Sequence, residues 1–483
     1  MRQVVQPTSG GAVRVVEVPR PTIAPTEVLV RTVASIISPG TERSMTALAQ
    51  SSLLSKARAR PDLVRQVVAR ARADGPLEAM KAVRARLDED LALGYSAAGI
   101  VVEVGEATSG LTPGQLVATG GAGKASHAEY QAVPALLCSP VPDGVPAGDA
   151  AFATIASIAL HGLRLAEIEP GARVAVIGLG LVGQLAVRLA LASGCEVVGI
   201  DVSPVRADVA ERAGAKGLVE SGPDTTAAVL AWSGGMGVDA VVVAASTPSP
   251  AVMARTPDLC RDRGNVVVVG DVGLELERRP FYDKELTIRF ARSYGPGRYE
   301  RTYEDWGVDY PPGFVRWTEG RNQAAVLSLL AGGRLHVADL VTHHFDVDDG
   351  ARAYELIETG EASVLAIRLD YHGGAEPEAP IVITPATERA SSAPGLGVIG
   401  AGTFASGVLL PALADAGLNR VVAVASASGL SARRMAERLG AERAVSGAEA
   451  VIADEGVEVV VIATPHDSHA RLAAAALRAG KHV

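Results

Sequence analysis

The sequence is short of cysteine, of aromatic residues and of positive charge. Three cysteines in 483 residues, Cys138, Cys195 and Cys260, are too few and too scattered for a disulfide framework or a cysteine-rich zinc cluster. Aromatic residues make up only 4%, which disfavours an aromatic-rich β-sandwich, while 52 glycines suit βα units joined by tight turns. Lysine and arginine number 45 against 54 acidic residues, a formal net charge of −9 with no long basic run. That balance argues against nucleic-acid and anionic-membrane partners. The longest nearly apolar run, Ala150–Leu160, falls well short of the roughly 20 residues that span a bilayer. The opening Met1-Arg-Gln-Val-Val-Gln-Pro lacks the apolar core of a signal peptide. A cytoplasmic location is therefore expected. With 48% hydrophobic and 20% charged residues the composition is that of a globular chain, and at about 150 residues per domain it should hold roughly three domains.

Residues 1–48 read as short β segments, Val13–Val18 and Glu27–Val33, separated by Pro19, Pro21 and Pro25. Residues 44–92 turn helical, with apolar spacing at Leu63, Val64, Val67, Val68 and at Met80, Val83, Leu87. Pro61 and Gly75-Pro76 divide that insert, and Arg58, Arg60, Arg65, Arg70 and Arg72 read as a solvated basic face. Strands resume at Gly99–Val104 and Gln115–Ala118. From Gly171 apolar runs (Arg173–Ile177, Glu196–Ile200, Asp239–Ala244, Asn265–Val269) alternate with helical patterns (Leu181–Ala192, Pro204–Ala213, Pro250–Arg261). Continuous apolar strands between helices imply a parallel sheet covered on both faces. A helix at Asn322–Leu330 and a strand at Ser363–Leu369 close this part, and residues 371–394 read as a linker. The alternation then begins again with Leu396–Ile399, Val421–Ala425 and Val457–Ile462.

Gly178-Leu-Gly180-Leu181-Val182-Gly183 fits G-x-G-x-x-G, preceded by a strand, followed by a helix, with a second strand ending at Asp201. Glycines let backbone approach a pyrophosphate at the helix N-terminus, and a carboxylate in the position of Asp201 accepts from ribose hydroxyls. Asp201 points to NAD(H) at this site. A 2′-phosphate beside it would meet a repulsion of order 4 kcal/mol at ~4 Å and an effective dielectric constant of ~20.

Around this loop the sequence resembles the medium-chain dehydrogenase/reductase family, which includes zinc alcohol dehydrogenases and zinc-free quinone reductases. The stretches that carry the resemblance are Gly94-Tyr-Ser-Ala-Ala-Gly-Ile-Val-Val-Glu-Val-Gly105, Leu111-Thr-Pro-Gly-Gln-Leu-Val117, His127-Ala-Glu-Tyr130, Ile155–Arg164 and Glu169–Gly178. It covers residues 1–370 and implies a GroES-like β-rich substrate domain (1–135 and 291–370, with the helical insert 44–92) beside a Rossmann domain (136–290). Zinc members carry a cysteine within the segment matching Ile36–Glu42, a G-H-E-x-x-G where this chain has Gly94-Tyr95-Ser96-Ala97-Ala98-Gly99, and a later cysteine near Ala153–Thr154. None of these positions keeps a usual ligand, so the chain is expected to fall in the zinc-independent branch, with no metal site. A carbonyl would then be polarised by hydroxyl donors, and the matched positions nominate Tyr95 first, then Ser38, Thr41 and Ser96. The aromatic and arginine residues of Arg292–Arg298, Asp305–Pro311 and Val315–Arg321 are candidates for stacking a sugar ring and clamping phosphate or carboxylate.

A second loop, Leu396-Gly-Val-Ile-Gly400-Ala-Gly402-Thr403-Phe404-Ala405, repeats the strand–turn–helix pattern. Its second strand ends at Ser426 instead of an acid, with Arg433 and Arg434 downstream, which leaves NADP(H) or NAD(H) open. With Ala463-Thr-Pro-His-Asp-Ser-His469 and Ala479-Gly-Lys-His-Val483, residues 395–483 resemble the start of the Gfo/Idh/MocA sugar and cyclitol dehydrogenases. In that family Gly-Lys-His-Val leads into a lysine-bearing catalytic segment and a substrate domain, so a truncated module is expected; Lys481 precedes the family's lysine, and His469 reads as a helix start. The combination resembles bacterial bi-domain oxidoreductases.

These readings give an α/β chain: a GroES-like domain, a doubly wound Rossmann sheet and a second, incomplete Rossmann domain. The expected activity is hydride transfer between a nicotinamide and a carbonyl or alcohol of a small substrate, which the resemblance alone implies is a sugar or nucleotide sugar. A quinone or enone reductase and a redox-inactive nucleotide sensor are the alternatives. Sequence leaves open whether the chain acts alone or as a homo-oligomer.

Overall fold

Valine-rich runs alternate their side chains between two faces, and both faces need cover when helices flank the sheet. The computed structural model describes residues 1–50, 64–65, 67–69, 72, 75, 80, 90–372, 380–383, 393–402 and 404–483. Six parallel strands run across its central sheet in the order Lys216–Val219, Glu196–Asp201, Arg173–Ile177, Val238–Val243, Cys260–Val268, Thr287–Phe290. Val174, Val176, Val242 and Val267 face Leu181, Leu185 and Leu189. Their neighbours Ala175, Val241, Val243, Val266 and Val268 face Val229, Met253 and Leu259. Strand order reverses between Arg173–Ile177 and Val238–Val243, which opens a crevice at the strands' carboxyl ends.

The α/β class and the paired architecture expected from sequence are present. Arg173–Ile177 and Leu181–Ala192 form as a strand and a helix with those bounds. The helix expected over Pro250–Arg261 stops at Leu259, because Cys260 turns extended and opens the next strand. The two outer strands, Lys216–Val219 and Thr287–Phe290, escape the sequence pattern. Both sit at sheet edges and are partly exposed, so neither needs a continuous apolar run.

A second sheet orders Val341–Asp346, Ala366–Asp370, Glu27–Ile37, Ser96–Val104, Leu116–Gly120 and Cys138–Pro140, with Tyr130–Pro134 also paired to Glu27–Ile37. Helix Glu319–Ala331 packs its Val326 and Leu327 into the same core as helix Ala153–Leu165. Of the helical insert, the described Val64, Val67, Val68 and Met80 are exposed, as are Arg65 and Arg72. Leu63, Val83, Leu87, Arg58, Arg60 and Arg70 lie outside the described residues.

The C-terminal sheet runs Ile381–Val382, Arg443–Ser446, Val421–Ser426, Leu396–Ile399, Val459–Ile462, parallel except for its first strand. Ile381–Val382 belongs to the stretch read as linker, which is therefore interrupted by an edge strand on Ala444 and Arg443. This sheet docks on the N-terminal segment. The Thr22 amide donates to Ala427 O at 3.0 Å, and Leu430 packs on Val5, Val16 and Val18. Gly429 is required there, since a Cβ would stand 1.7 Å from Pro19 O. Gly429→Ala is expected to pry this contact open and leave both sheets folded. Hydrogen exchange at Thr22 and over 427–430 should accelerate at least about tenfold while the core strands keep their protection; unchanged exchange at Thr22 would show that the docking does not depend on the glycine.

Candidate active site

Ile177 delivers the chain to Gly178, whose φ of 90° only glycine adopts without strain. Gly183 is packed against it so closely that a Cβ would lie 1.8 Å from Gly178 O. Gly180 caps helix Leu181–Ala192 in extended conformation, and a Cβ there would meet nothing within 4 Å, which leaves an open cradle. The first helical bond runs from Gln184 N to Gly180 O, so the preceding amides have no acceptor within the helix. Backbone donors at the positive end of a helix suit a pyrophosphate, and the loop fits the dinucleotide that its pattern implies.

Asp201 ends the neighbouring strand, buried, and holds the loop. Its Oδ2 accepts from Leu179 N at 2.7 Å and its Oδ1 from Ser203 N at 2.8 Å, with Arg206 Nη1 3.9 Å away. A carboxylate has about four acceptor sites, so two remain for ribose hydroxyls.

Gly178, Gly180, Leu181, Val182 and Asp201 line one cleft of about 1250 Å³, together with Ser38 just after strand Glu27–Ile37, Thr41 in helix Pro39–Gln50, and Tyr95 just before strand Ser96–Val104. Gly183 lies beneath the loop. Three of the four nominated hydroxyls thus face the cofactor loop. The fourth does not: Ser96 Oγ donates to Ala151 O at 2.6 Å inside the core and is absent from the cleft lining. Burial pushes the Tyr95 phenol up to about 12, against the lowering influence of the Thr41 and Ser38 hydroxyls and with a further rise from Glu42. Its Oη is buried with no hydrogen bond of good geometry.

Behind Tyr95 lies a buried network that sequence reading did not single out. Glu42 Oε1 meets His127 Nε2 at 3.2 Å, and Glu42 Oε2 accepts from the Tyr354 hydroxyl. His127 Nδ1 pairs with Ser35 Oγ at 2.7 Å, and Ser35 Oγ with Tyr371 Oη at 2.8 Å. Every member finds a partner.

The third wall follows strand Thr287–Phe290. Ser293, Tyr294, Arg298 and Tyr299 line the cleft. Ser293 and Tyr299 hold φ of 57° and 66°, strained values for side-chain-bearing residues. Tyr299 lies under two guanidinium groups, Arg298 at 4.2 Å and Arg292 at 4.5 Å from its ring centre. Arg298 also pairs with Glu304. The other nominated loop residues turn elsewhere: Arg321 is held by Asp309 and the Tyr310 and Val315 carbonyls, and Trp317 stacks with Arg164 and Arg316. Behind Tyr294 stands Glu319, wholly buried, its acid raised to about 8 chiefly by burial.

At the second loop Gly400 has φ 105°, and a Cβ would lie 2.6 Å from Ala463 O; Gly402 again faces open space. Phe404 is exposed, Ser426 ends its strand as expected, and Thr403 lies outside the described residues. Lys481 Nζ donates to Asp454 O and Val457 O, both at 2.8 Å, and His469 opens helix His469–Arg478.

Residues 182–306 match the family model described as Zinc-binding dehydrogenase, and residues 395–483 match Oxidoreductase family, NAD-binding Rossmann fold. A probable D-xylulose reductase A of Neosartorya fischeri is 26% identical over 310 residues, 56% of this chain and 79% of its own length. L-galactonate-5-dehydrogenase of Escherichia coli (strain K12) is 32% identical over 230 residues, 47% of this chain and 60% of its own. The fold is shared with alcohol dehydrogenase TADH from Thermus sp. ATN1, at TM-score 0.59 and 24% identity over 77% of this chain and 100% of that one. Galactitol-1-phosphate dehydrogenase from Escherichia coli aligns at TM-score 0.58 and 19% identity over 77% and 100%.

The zinc-independent assignment is overturned by the first of these matches, which falls in a zinc-binding family. The side chains at the positions compared are nonetheless hydroxyls and not the thiolates, imidazoles and carboxylates zinc takes. Among the described residues no three of His, Cys, Asp or Glu come together. No step below passes through a metal. No helix among the described residues is long and apolar enough to cross a membrane. The chain is an NAD(P)-dependent oxidoreductase with the fold of GroES-like dehydrogenases and a second Rossmann unit.

Proposed function

We propose that the cleft interconverts the carbonyl and alcohol forms of a small, sugar-like substrate with NAD(H), in the cytoplasm. The observation that carries this reading is the meeting of the glycine loop, Asp201 and the hydroxyls of Ser38, Thr41 and Tyr95 around one cavity. When bound, the dinucleotide supplies or accepts hydride. Gly178, Gly180 and the amides of Leu181 and Val182 hold its pyrophosphate, and Asp201 takes the ribose hydroxyls. Tyr95 donates a hydrogen bond to the substrate oxygen without giving up its proton, and burial keeps its phenol protonated for that role. Ser38 and Thr41 orient it. Tyr299, with two guanidinium groups against its ring and more than half of its surface exposed, offers a face for a sugar ring. Polyol and sugar-acid chemistry in the names of relatives supports this substrate class. Gly400, Gly402, Phe404 and Ser426 form the corresponding loop for NADP(H) or NAD(H) in the second unit.

Two outcomes are expected. Asp201→Ser should weaken NADH and shift preference toward NADPH, read as dissociation constants from cofactor fluorescence; a wild-type protein that already binds NADPH more tightly defeats the assignment. Tyr95→Phe should lower kcat about 100-fold, the size of one lost oxyanion donor, with NADH affinity unchanged. A kcat within about twofold of wild type would remove Tyr95 from the chemistry.

A further inference from the structure

Hydride transfer to a carbonyl leaves a proton to be found. Reduction brings two electrons and a hydrogen to carbon as hydride, breaks the C=O π bond toward oxygen, and needs one proton there; oxidation returns it. Tyr95 has no group behind it that can exchange this proton. Its acidic neighbour Glu42 already binds His127 through one oxygen and Tyr354 through the other.

The opposite condition holds at the third wall. Tyr294 lines the cleft, and its hydroxyl is buried with no hydrogen bond of good geometry, Glu319 being the acid beside it. Both carboxyl oxygens of Glu319 and Oδ1 of Asn322 share that state, in side chains that are wholly buried. Four buried polar atoms on three neighbouring residues thus make no hydrogen bond of good geometry, where buried groups of this kind normally pair well. Glu319 and Tyr294 face one another, each perturbing the other's ionisation. The charged and titratable groups around them are Arg298 and Glu304, which pair with each other, and Tyr303 and Tyr310. The backbone that carries Tyr294 is held at Ser293 with φ 57° and at Gly295 with φ 135°, where a Cβ would stand 2.6 Å from Asn322 Nδ2.

We propose that Tyr294 passes the proton to and from the substrate oxygen, and that Glu319 is the buried carboxylic acid that resupplies it. In reduction the Tyr294 O–H bond breaks toward the substrate oxygen as the Glu319 O–H proton moves to the phenol oxygen, so no free tyrosinate forms. Glu319 is left as carboxylate and recovers its proton from water in the cleft through Tyr294 once product has left. Oxidation runs the same transfers backward. Tyr294 touches the reacting atoms in this scheme, and Glu319 acts through it. Burial supplies what each step needs: it keeps the phenol from ionising and keeps the carboxylic acid protonated near neutral pH.

The proposal rests on the oxidoreductase reading of the same cleft. Its test uses the full chain as wild type, Tyr294→Phe and Glu319→Gln, with NADH and a panel of D-xylulose, other ketoses and short aldehydes from pH 6 to 9.5. Wild-type kcat for reduction should fall as pH rises past about 8. Glu319→Gln should be at least about tenfold slower at pH 7 and lose that alkaline limb. Tyr294→Phe should lose about 100-fold in kcat with KM and NADH affinity within about twofold. Equal kcat in Tyr294→Phe, or an alkaline limb that survives in Glu319→Gln, overturns the proposal and leaves the reading of the cleft intact. Failure of wild type to reduce any probe overturns both.

Stability gives a readout without turnover. A carboxylic acid whose folded value is raised from 4.5 to about 8 binds more protons folded than unfolded between those values, so its contribution to stability declines as pH rises. Urea unfolding should show wild type losing ground to Glu319→Gln from pH 5 to 8 and then levelling off. Parallel stability curves would mean that Glu319 is already ionised, and the relay fails.

Discussion

The closeness of Gly183 to Gly178 is the contact on which the functional half of the molecule depends. A Cβ on Gly183 would lie inside bonding distance of the Gly178 carbonyl oxygen, so helix Leu181–Ala192 can begin where it does only because that atom is missing. The helix start then sits directly above strand Arg173–Ile177, at the sheet's switch point, with its unbonded amides turned to the cleft. Asp201 adds the second restraint, tying the end of the neighbouring strand to Leu179 N across the loop. Displacing that helix by the radius of a methyl group would move the glycine loop away from Ser38, Thr41 and Tyr95, which are positioned beside strands of a different sheet.

Two buried polar clusters flank the cleft and behave oppositely. Around Glu42 each oxygen and nitrogen has a partner, through His127, Ser35, Tyr354 and Tyr371. A satisfied network in low dielectric is rigid, and it fixes the strand-to-helix turn that presents Ser38 and Thr41. Around Glu319 the polar atoms make no hydrogen bond of good geometry, next to strained backbone. Such sites cost stability and persist where the surrounding fold holds them in place, which the packing of helix Glu319–Ala331 onto helix Ala153–Leu165 does here.

The C-terminal unit repeats the same local device with a different supporting cast. Gly400 turns beneath Ala463 as Gly178 turns beneath Ala245. Lys481 secures the far end of this unit by capping two carbonyls, Asp454 and Val457, rather than by reaching a ligand. Its contact with the N-terminal segment falls just past Ser426, so the end of the loop that would meet a ribose lies next to Pro19–Thr22. The first unit thereby borders the second glycine loop.

Sequence alone determined the elements whose physics is local. Gly178, Gly180 and Gly183 at their spacing, a valine-rich strand before them and Asp201 after them specify a dinucleotide loop before any contact is known, because backbone conformation and period decide it. The alternation of apolar runs likewise specified a parallel sheet. It did not reveal the edge strands Lys216–Val219 and Thr287–Phe290, since an edge needs only one buried neighbour and carries no continuous apolar signal. The loop Arg292–Arg298 was nominated from its aromatic and arginine residues, but without the second of these strands nothing in the sequence showed that it follows a sheet edge and lines the cleft. Tertiary structure also decided which of the four nominated hydroxyl residues line the cavity: Ser96 bonds inward to Ala151, while Tyr95, the first nominated, lines it. Glu42 and Glu319 are both wholly buried glutamates. Partners contributed from distant parts of the chain satisfy one and leave the other without a hydrogen bond of good geometry, a difference that exists only once the fold has brought those parts together.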